Sequence, residues 1–203
     1  MPRPVSSVPP WLPLQPHPQA PASPARVLRV RAQRRADGSL ALDFVLHADS
    51  ARLRVPPAQP PGAADGLWQH TCFEAFVAAA GAPAYHEFNF SPSGQWAAYA
   101  FADYRARSAA TVAPAPRMAW HRPAPAETAA DAAPTLALTV ELAAATLPAG
   151  ADGTLHLGLC AVIEDDDGRH AWWALHHPAA RPDFHHRDGF VLHLPAVPAT
   201  ETP

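Results

Sequence analysis

Residues 67–105 read LWQHTCFEAFVAAAGAPAYHEFNFSPSGQWAAYAFADYR, and they are the most informative part of the sequence. It divides into three apolar-rich segments, 72–79, 84–90 and 95–103, separated by two short sequences rich in Gly, Pro and Ser. The second of these, Ser91-Pro92-Ser93-Gly94, has Ser first, Pro second and Gly fourth, as in a type I turn. The stretch therefore predicts a meander of three antiparallel strands.

The two faces of this meander differ in chemistry. Alternate side chains of a strand point to opposite faces, so Phe73, Ala75 and Val77 share one face, and Phe88 and Phe90 match them as predicted core. The other face carries polar and aromatic side chains: Glu74, Tyr85, Glu87 and Asn89, with Trp68 and His70 just before the first strand. A buried carboxylate without a partner is costly, so this face is expected to be either solvated or part of a site.

The same alternation of apolar and polar residues continues outside the meander. It occurs in residues 40–46, 136–142 and 155–163, which predicts half-buried strands. The third of these runs into Glu164-Asp165-Asp166-Asp167-Gly168 and then an aromatic segment at 170–176, a pattern that predicts a hairpin.

Helical signals are few. The Ala-rich segments 125–133 and 142–151 are each long enough for only a turn or two of helix between prolines. Many short strands separated by turns predict an all-β fold, and we expect an antiparallel β-sandwich of jelly-roll type.

Proline indicates where this domain begins. Nine of the 26 prolines lie in residues 1–24, so we expect that segment to be extended or disordered, with Trp11 or Leu14 laid on the domain surface. The expected organisation is this segment, a single domain over 25–195, and a flexible tail at 196–203.

Charge argues against one class of partner. The chain has 15 Arg, no Lys and 18 acidic residues, and a net charge of −3 does not suit a protein that binds nucleic acid by neutralising phosphates. The Arg-rich strand 26–35 is expected at an edge or on a solvated face, with a bound anion as the alternative.

Membrane and redox signals are equally sparse. No segment approaches the roughly 18 consecutive apolar residues of a membrane span, and the N-terminus lacks the pattern of a signal peptide, so we expect no membrane partner and a cytoplasmic location. Cys72 and Cys160 are expected to be unpaired structural thiols. Nothing in the sequence defines an oligomeric state.

Aromatic side chains flank the polar face of the meander. Trp68, Tyr85, Trp96 and Tyr104 lie near its carboxylates, and Arg105 ends the stretch. The C–H faces of a sugar ring pack on aromatic rings, and its hydroxyls are read by carboxylate, amide and guanidinium groups. We therefore expect a carbohydrate-containing ligand, with Trp68 as the stacking platform.

Four segments resemble a known family: LWQHTCFEAFV, EFNFSPSGQWAAYAFADYR, AVIEDDDGRHAWWAL and HPAARPDFHHRDGF. The chain resembles, over residues 14–194, the DOMON-like proteins of bacteria, relatives of the family 9 carbohydrate-binding modules. The resemblance implies a jelly-roll sandwich that binds sugars or, in other branches, haem. It also implies that two Trp rings clamp a terminal saccharide, with Trp68, Glu74 and the Trp172-Trp173 strand at matching positions.

Two readings of that aromatic strand stay open. Strand parity places Trp173 inward with Ala171, and Trp172 on the other face with His176, whereas the resemblance implies that Trp173 meets the ligand. We keep Trp172, Trp173 and His176 as candidates.

The segment that follows is expected to contribute to the same face. Residues 177–190 should fold back onto it, with Phe184 as an anchor and Asp183 or His185 reaching the ligand. The alternative is that Asp183 only caps the turn after Pro182.

Cofactors have weaker signals. Met118 is the only Met beyond the initiator, and with one of the twelve His it could ligate b-type haem. Zinc could be bound by His176-His177 together with residues 183–186. Calcium, which the sugar-binding relatives contain, could be bound by residues 164–167. None has a recognised ligand spacing, so no cofactor is expected.

Two further functions remain as alternatives to saccharide binding. Glu74 and Glu87 would serve a glycoside-active enzyme if their carboxyls lay ~5 to 5.5 Å apart for retention, or ~6.5 to 9.5 Å apart for inversion. A protein-interaction scaffold is the other alternative. We expect a non-catalytic domain whose ligand is a saccharide or a soluble glycoconjugate.

Overall fold

The computed structural model describes residues 8–110, 112–121 and 135–197. The Ala-rich segment 125–133 and residues 198–203 of the predicted tail lie outside that range. Within it, there is no α-helix, and hence no helix able to span a membrane; the short 3-10 turns include Leu67–Gln69, Ala144–Thr146 and Arg187–Gly189.

The strands of the described residues are, in chain order, β1 (Leu12–Pro13), β2 (Gln15–Pro16), β3 (Ala25–Arg34), β4 (Leu40–Ala48), β5 (Gly62–Ala63), β6 (Cys72–Ala79), β7 (Tyr85–Phe90), β8 (Gln95–Asp103), β9 (Ala106–Arg107), β10 (Arg117–His121), β11 (Leu136–Leu142), β12 (Leu155–Glu164), β13 (His170–Ala174) and β14 (Leu192–Leu194). The predicted meander corresponds to β6, β7 and β8, and the predicted hairpin to β12 and β13.

These strands form two sheets. The smaller has the order β1-β3-β4-β11-β10, and the larger has the order β2-β13-β12-β6-β7-β8-β5, with β14 paired to β12 and β9 to β8. Neighbours are antiparallel except for the two-residue pairing of β5 with β8. The predicted antiparallel β-sandwich is confirmed, while its jelly-roll connectivity stays a prediction.

The main core lies between the sheets. It holds the alternate side chains of both, including Phe44 of β4 and Phe73 of β6, whose ring centroids are 5.3 Å apart. Ala75, Val77 and Phe88 belong to the same cluster. The inward face predicted for the meander is therefore confirmed.

The outward face of the larger sheet is also largely covered. Phe76, Tyr85 and Phe101 pack there with Phe190 of the C-terminal segment, and Leu67 packs on Cys72. Both cysteines, Cys72 and Cys160, are buried and free, as expected. This face is an apolar layer beneath two loop segments, with polar side chains set into it.

The N-terminal segment joins both sheets. Its strand β1 pairs with β3 and its strand β2 pairs with β13, so it is extended over residues 12–16, as predicted. Leu14, between them, is only 2% exposed and lies in the main core, deeper than the surface contact that we expected. Trp11 stays partly exposed beneath the guanidinium of Arg31. The domain boundaries stay a prediction.

Leu14→Ala should destabilise the protein by about 2 to 5 kcal/mol, because it removes a buried side chain and leaves a cavity. Chemical denaturation of the two chains measures the difference. Val8→Ala is the control, since Val8 is 72% exposed and its truncation should change the free energy of unfolding by less than about 0.5 kcal/mol. Equal stability of the Leu14→Ala chain and the natural chain would show that the segment adds nothing to the core.

Candidate functional site

A cavity of about 1180 Å³ opens on the outward face of the larger sheet. Its walls come from residues 56–70, the turn 91–95, residues 105–107 and the segment 182–185. Its floor consists of outward side chains from five neighbouring strands: Glu74, Phe76, Glu87, Tyr99, Phe101, Val162 and Trp172. The polar face predicted for the meander is thus the floor of a cavity.

Strand register places the two carboxyl groups of this floor. Glu74 on β6 lies opposite Asn89 on β7, and Glu87 on β7 lies between Phe76 on β6 and Tyr99 on β8. Because directly opposed residues of antiparallel strands present their side chains on the same face, both carboxyls point into the cavity.

Glu74 is buried, and one of its carboxyl oxygens has no hydrogen-bond partner among the described residues. The residue is 3% exposed, and that oxygen is Oε1. Burial raises the pKa of Glu74 well above its ordinary value, and the neighbouring Glu87 carboxyl raises it further. Burial therefore favours the neutral, protonated form of Glu74 over its carboxylate.

Glu87 is also buried, but its carboxyl accepts a hydrogen bond from a neighbouring side chain. It is 5% exposed, and the Asn89 side-chain amide donates a hydrogen bond of 2.6 Å to its Oε1 atom. Burial raises the pKa of Glu87 too, but the Asn89 hydrogen bond and the charges of Arg107 and Arg105 oppose that rise. Of the two carboxyls, Glu87 is the one better suited to carry a negative charge.

A hydrogen-bonded pair, Tyr85 and His185, lies beside Glu87 at the C-terminal wall of the cavity. The backbone N–H of Arg105 donates to the Tyr85 hydroxyl at 3.1 Å, and that hydroxyl shares a hydrogen bond of 2.8 Å with Nδ1 of His185. The other ring nitrogen of His185, Nε2, is 3.8 Å from Oε2 of Glu87. Burial lowers the pKa of His185 to about 4, so the imidazole is neutral at neutral pH.

Asp183 holds the 182–185 wall of the cavity in place at its rim. It accepts hydrogen bonds from the Tyr104 hydroxyl at 2.7 Å and from the Arg105 guanidinium at 2.8 Å, and also from the backbone N–H of His185. Burial alone would raise the pKa of Asp183, but the bonds from Tyr104 and Arg105 lower it below its ordinary value. Asp183 therefore caps its turn and also joins the C-terminal segment to the end of β8.

Two Trp rings line the cavity. Trp68 on the 3-10 turn is 52% exposed, and Trp172 projects from β13. Trp173 is 6% exposed and lies in the main core, so it does not meet the cavity. Strand parity is confirmed for this pair, and the position that the resemblance implied for Trp173 is wrong.

Other candidates lie at or beyond the edge of the cavity. Trp96 is paired with the core-facing Phe90, so its side chain leaves the sheet on the side away from Glu87, and His176 is exposed outside the lining. These two predictions are not supported by the geometry. His70 does line the cavity, with its Nδ1 atom 2.8 Å from Oε2 of Glu164.

Some lining residues were missed by the sequence analysis. Tyr99 lies opposite Glu87, its hydroxyl donates to Oδ1 of Asp65 at 2.7 Å, and the guanidinium of Arg107 lies 4.0 Å from its ring centroid. The alternation within 95–103 contains the signal for Tyr99, since it repeats every two residues. Asp65 and Arg107 lie in loops or a two-residue strand, where no period places them.

The residues considered for cofactors have other contacts. No group of three or more His, Cys, Asp or Glu is arranged to hold a metal ion among residues 8–110, 112–121 and 135–197. In the acidic loop, Glu164 pairs with Arg54 at 3.1 Å and Asp165 lies 3.6 Å from Arg52. Met118 packs against the main core.

Comparison with known proteins gives a likeness of fold. No family model matches the chain, and no curated protein matches it. The fold is similar to that in a crystal structure of a "putative carbohydrate-binding protein" from Bacteroides uniformis ATCC 8492, with 17% sequence identity and a TM-score of 0.59. The match covers 90% of this chain and 84% of that one, so nearly the whole sandwich is shared.

Proposed function

We propose that this protein binds a saccharide or glycoconjugate in the cavity on the larger sheet, without catalysing a reaction. The observation that carries the proposal is the pairing of two cavity-lining Trp rings, Trp68 and Trp172, with the buried carboxyls Glu74 and Glu87. The carbohydrate-binding description of the Bacteroides uniformis protein with the same fold supports it.

The lining suits both faces of a sugar. The apolar C–H face packs on an aromatic ring, and Trp68 offers a largely exposed one. The hydroxyls need acceptors and donors, which Glu74 and Glu87 supply at the floor and Arg105 and Arg107 supply at the rim.

The free energy that aromatic stacking can contribute limits the expected affinity. A Trp ring that covers about 150 Å² contributes about 4 kcal/mol at roughly 25 cal/mol per Å². Association costs at least about 4 kcal/mol, so one ring alone binds weakly. With two rings and satisfied polar groups we expect dissociation constants between roughly micromolar and millimolar.

The finer assignments are proposals of the same kind. We propose that the chain is a DOMON-like domain related to the family 9 carbohydrate-binding modules, with jelly-roll connectivity. We also propose that it works in the cytoplasm on a soluble glycoconjugate, such as a cell-wall precursor. The sequence resemblance and the shared fold support the first of these, and the sugar-compatible cavity supports the second.

Trp68→Ala should weaken saccharide binding by at least about tenfold while leaving the melting temperature within a few degrees, because the ring is largely exposed in the free protein. A glycan array identifies a ligand, and titration calorimetry then compares the variant with the natural chain.

Trp11→Ala is the matched control, since Trp11 is also partly exposed but lies beneath the Arg31 guanidinium, outside the cavity lining. It should bind the same glycan as tightly as the natural chain does. Unfolding of the Trp68→Ala chain would show that the ring is structural, and unchanged binding would move the site elsewhere.

The same experiment separates binding from hydrolysis. Glycan recovered after incubation should be intact by mass spectrometry if Glu74 and Glu87 only bind it. Shortened glycan, with shortening lost in Glu87→Gln, would make the protein a glycoside-active enzyme.

A further inference from the structure

The floor of the cavity has an excess of hydrogen-bond acceptors. Oε1 of Glu74 is buried, faces the cavity and accepts no hydrogen bond within the described part of the chain. Glu87 accepts one, from the neutral Asn89 amide, and its other oxygen is 3.8 Å from His185, too far for a hydrogen bond. A ligand group that donates hydrogen bonds would fit both the unpartnered Oε1 of Glu74 and the accepting carboxyl of Glu87.

The cations of the cavity are engaged elsewhere. Arg105 is 2.8 Å from Asp183, and Arg107 packs on the Tyr99 ring and lies 3.7 Å from Asp65. Neither forms an ion pair with Glu74 or Glu87 in the residues that the structure describes. Among residues 8–110, 112–121 and 135–197, the two carboxyls therefore have no ion pair with an Arg side chain, and the charges of Arg105 and Arg107 reach Glu87 only from a distance.

We infer that the ligand presents a protonated amine to Glu74 and Glu87, which makes it an amino sugar or a conjugate of one. This inference rests on the proposed function, since it names the class of saccharide for the same cavity. An ammonium group has three donors and a positive charge, whereas a sugar hydroxyl has one donor and no charge. Of these two groups, the ammonium is the one that can donate to more than one carboxyl oxygen and also compensate negative charge.

Binding of an ammonium group changes the protonation state of Glu74. The ionisable or charged side chains around Glu74 come from every neighbouring element: Cys72 on β6, Glu87 on β7, Tyr99 on β8, Cys160 on β12, His70 after the 3-10 turn, Arg105, Arg107 and His185. Burial raises the pKa of both thiols and lowers that of His185, so these groups stay neutral. When the ammonium arrives, Glu74 loses its proton to solvent and the ion pair remains, so about one proton is released per ligand.

Calorimetry with three trisaccharides tests this. The probes are the trimers of glucosamine, N-acetylglucosamine and glucose, each titrated at slightly acidic pH in two buffers of different ionisation enthalpy. The glucosamine trimer should bind about ten- to hundredfold more tightly than the others, as expected for charge-assisted hydrogen bonds. Its binding enthalpy alone should depend on the buffer, as the release of about one proton requires.

Glu74→Gln should reduce the preference for the glucosamine trimer and remove the proton release, and Glu141→Gln is its matched control. Glu141 lies on the smaller sheet, paired with Arg35 and Arg117, so its change should alter neither quantity. Equal binding of the three trimers would overturn the amine inference and leave the proposed function standing. Binding of none would overturn the proposed function itself. A preference for glucosamine that survives in Glu74→Gln would overturn the assignment to Glu74.

Discussion

Glu74→Gln should raise the free energy of unfolding at neutral pH, and the gain over the natural chain should grow as the pH rises. Glutamine has nearly the same shape and stays neutral, whereas the natural side chain is held in a site that disfavours its charged form. The variant therefore isolates the cost of burying an ionisable carboxyl at the cavity floor.

The direction follows from the proton balance of unfolding. In the unfolded chain, Glu74 ionises near its ordinary pKa of 4.5, while burial keeps its pKa well above that value in the folded protein. Above pH 4.5 the unfolded state has released a proton that the folded state keeps, so the natural chain loses stability as the pH rises. The slope approaches about 1.4 kcal/mol per pH unit and ends once the pH passes the folded pKa.

His185 adds a slope of the opposite sign. Its pKa falls from 6.5 in the unfolded chain to about 4 in the folded protein, so stability is lost as the pH falls through that window. The natural chain and Glu74→Gln both contain His185. Its contribution therefore largely cancels in the difference between them.

Urea denaturation at a series of pH values between 4 and 9 measures that difference. Glu141→Gln is again the control, because Glu141 lies outside the cavity and pairs with two Arg side chains, and its difference should not rise with pH. Parallel stability curves for the natural chain and Glu74→Gln would show that Glu74 is ionised in the folded protein.

The local alternation of apolar and polar residues predicted much of the fold. The strands predicted at 72–79 and 95–103 correspond to β6 and β8, and the first residue of β7 lies one position from the predicted 84–90. Parity then placed Glu74 and Glu87 on one face, and it separated Trp172 from Trp173. These results depend on the two-residue period of a strand, which is a property of neighbouring residues.

The loop segments that cover the outward face of the larger sheet were harder to predict, because their position depends on contacts between segments that are distant in sequence. The loops 56–70 and 182–185 have no strand or helix period, so the sequence does not show that they lie over the larger sheet. One signal was present: Phe76 and Ala78 share the outward face with Glu74, and apolar residues on both faces of a strand indicate burial on both sides.

Leu14 and Trp96 show the same limit at the edges of the sheets. Leu14 lies between two strands of two residues each, too short for an alternation to be seen, so its burial depends on pairing with distant β3 and β13. Trp96 was placed by its neighbourhood in sequence. Its side of the sheet is set by pairing with Phe90, which only the register reveals.

Phe190→Ala should cost about 3 to 5 kcal/mol of stability, the range for removal of a buried aromatic ring. Phe190 is 3% exposed, and its ring centroid lies 5.9 Å from that of Phe76 and 5.7 Å from that of Tyr85. The ring also occupies the space above Gly158, where an added Cβ would be 2.9 Å from it. It is therefore the main apolar anchor of the segment that carries His185.

Loss of this anchor should weaken saccharide binding as well as folding, because the same segment forms a wall of the cavity. Denaturation measures the first effect, and calorimetry at a temperature where the variant is still folded measures the second. Val191→Ala is the matched control: Val191 follows Phe190 directly but is 46% exposed, so its truncation should change neither quantity appreciably. If Phe190→Ala keeps both its stability and its affinity, the rim contacts of Asp183 with Tyr104 and Arg105 are sufficient to hold the wall, and the apolar contacts beneath it are not needed.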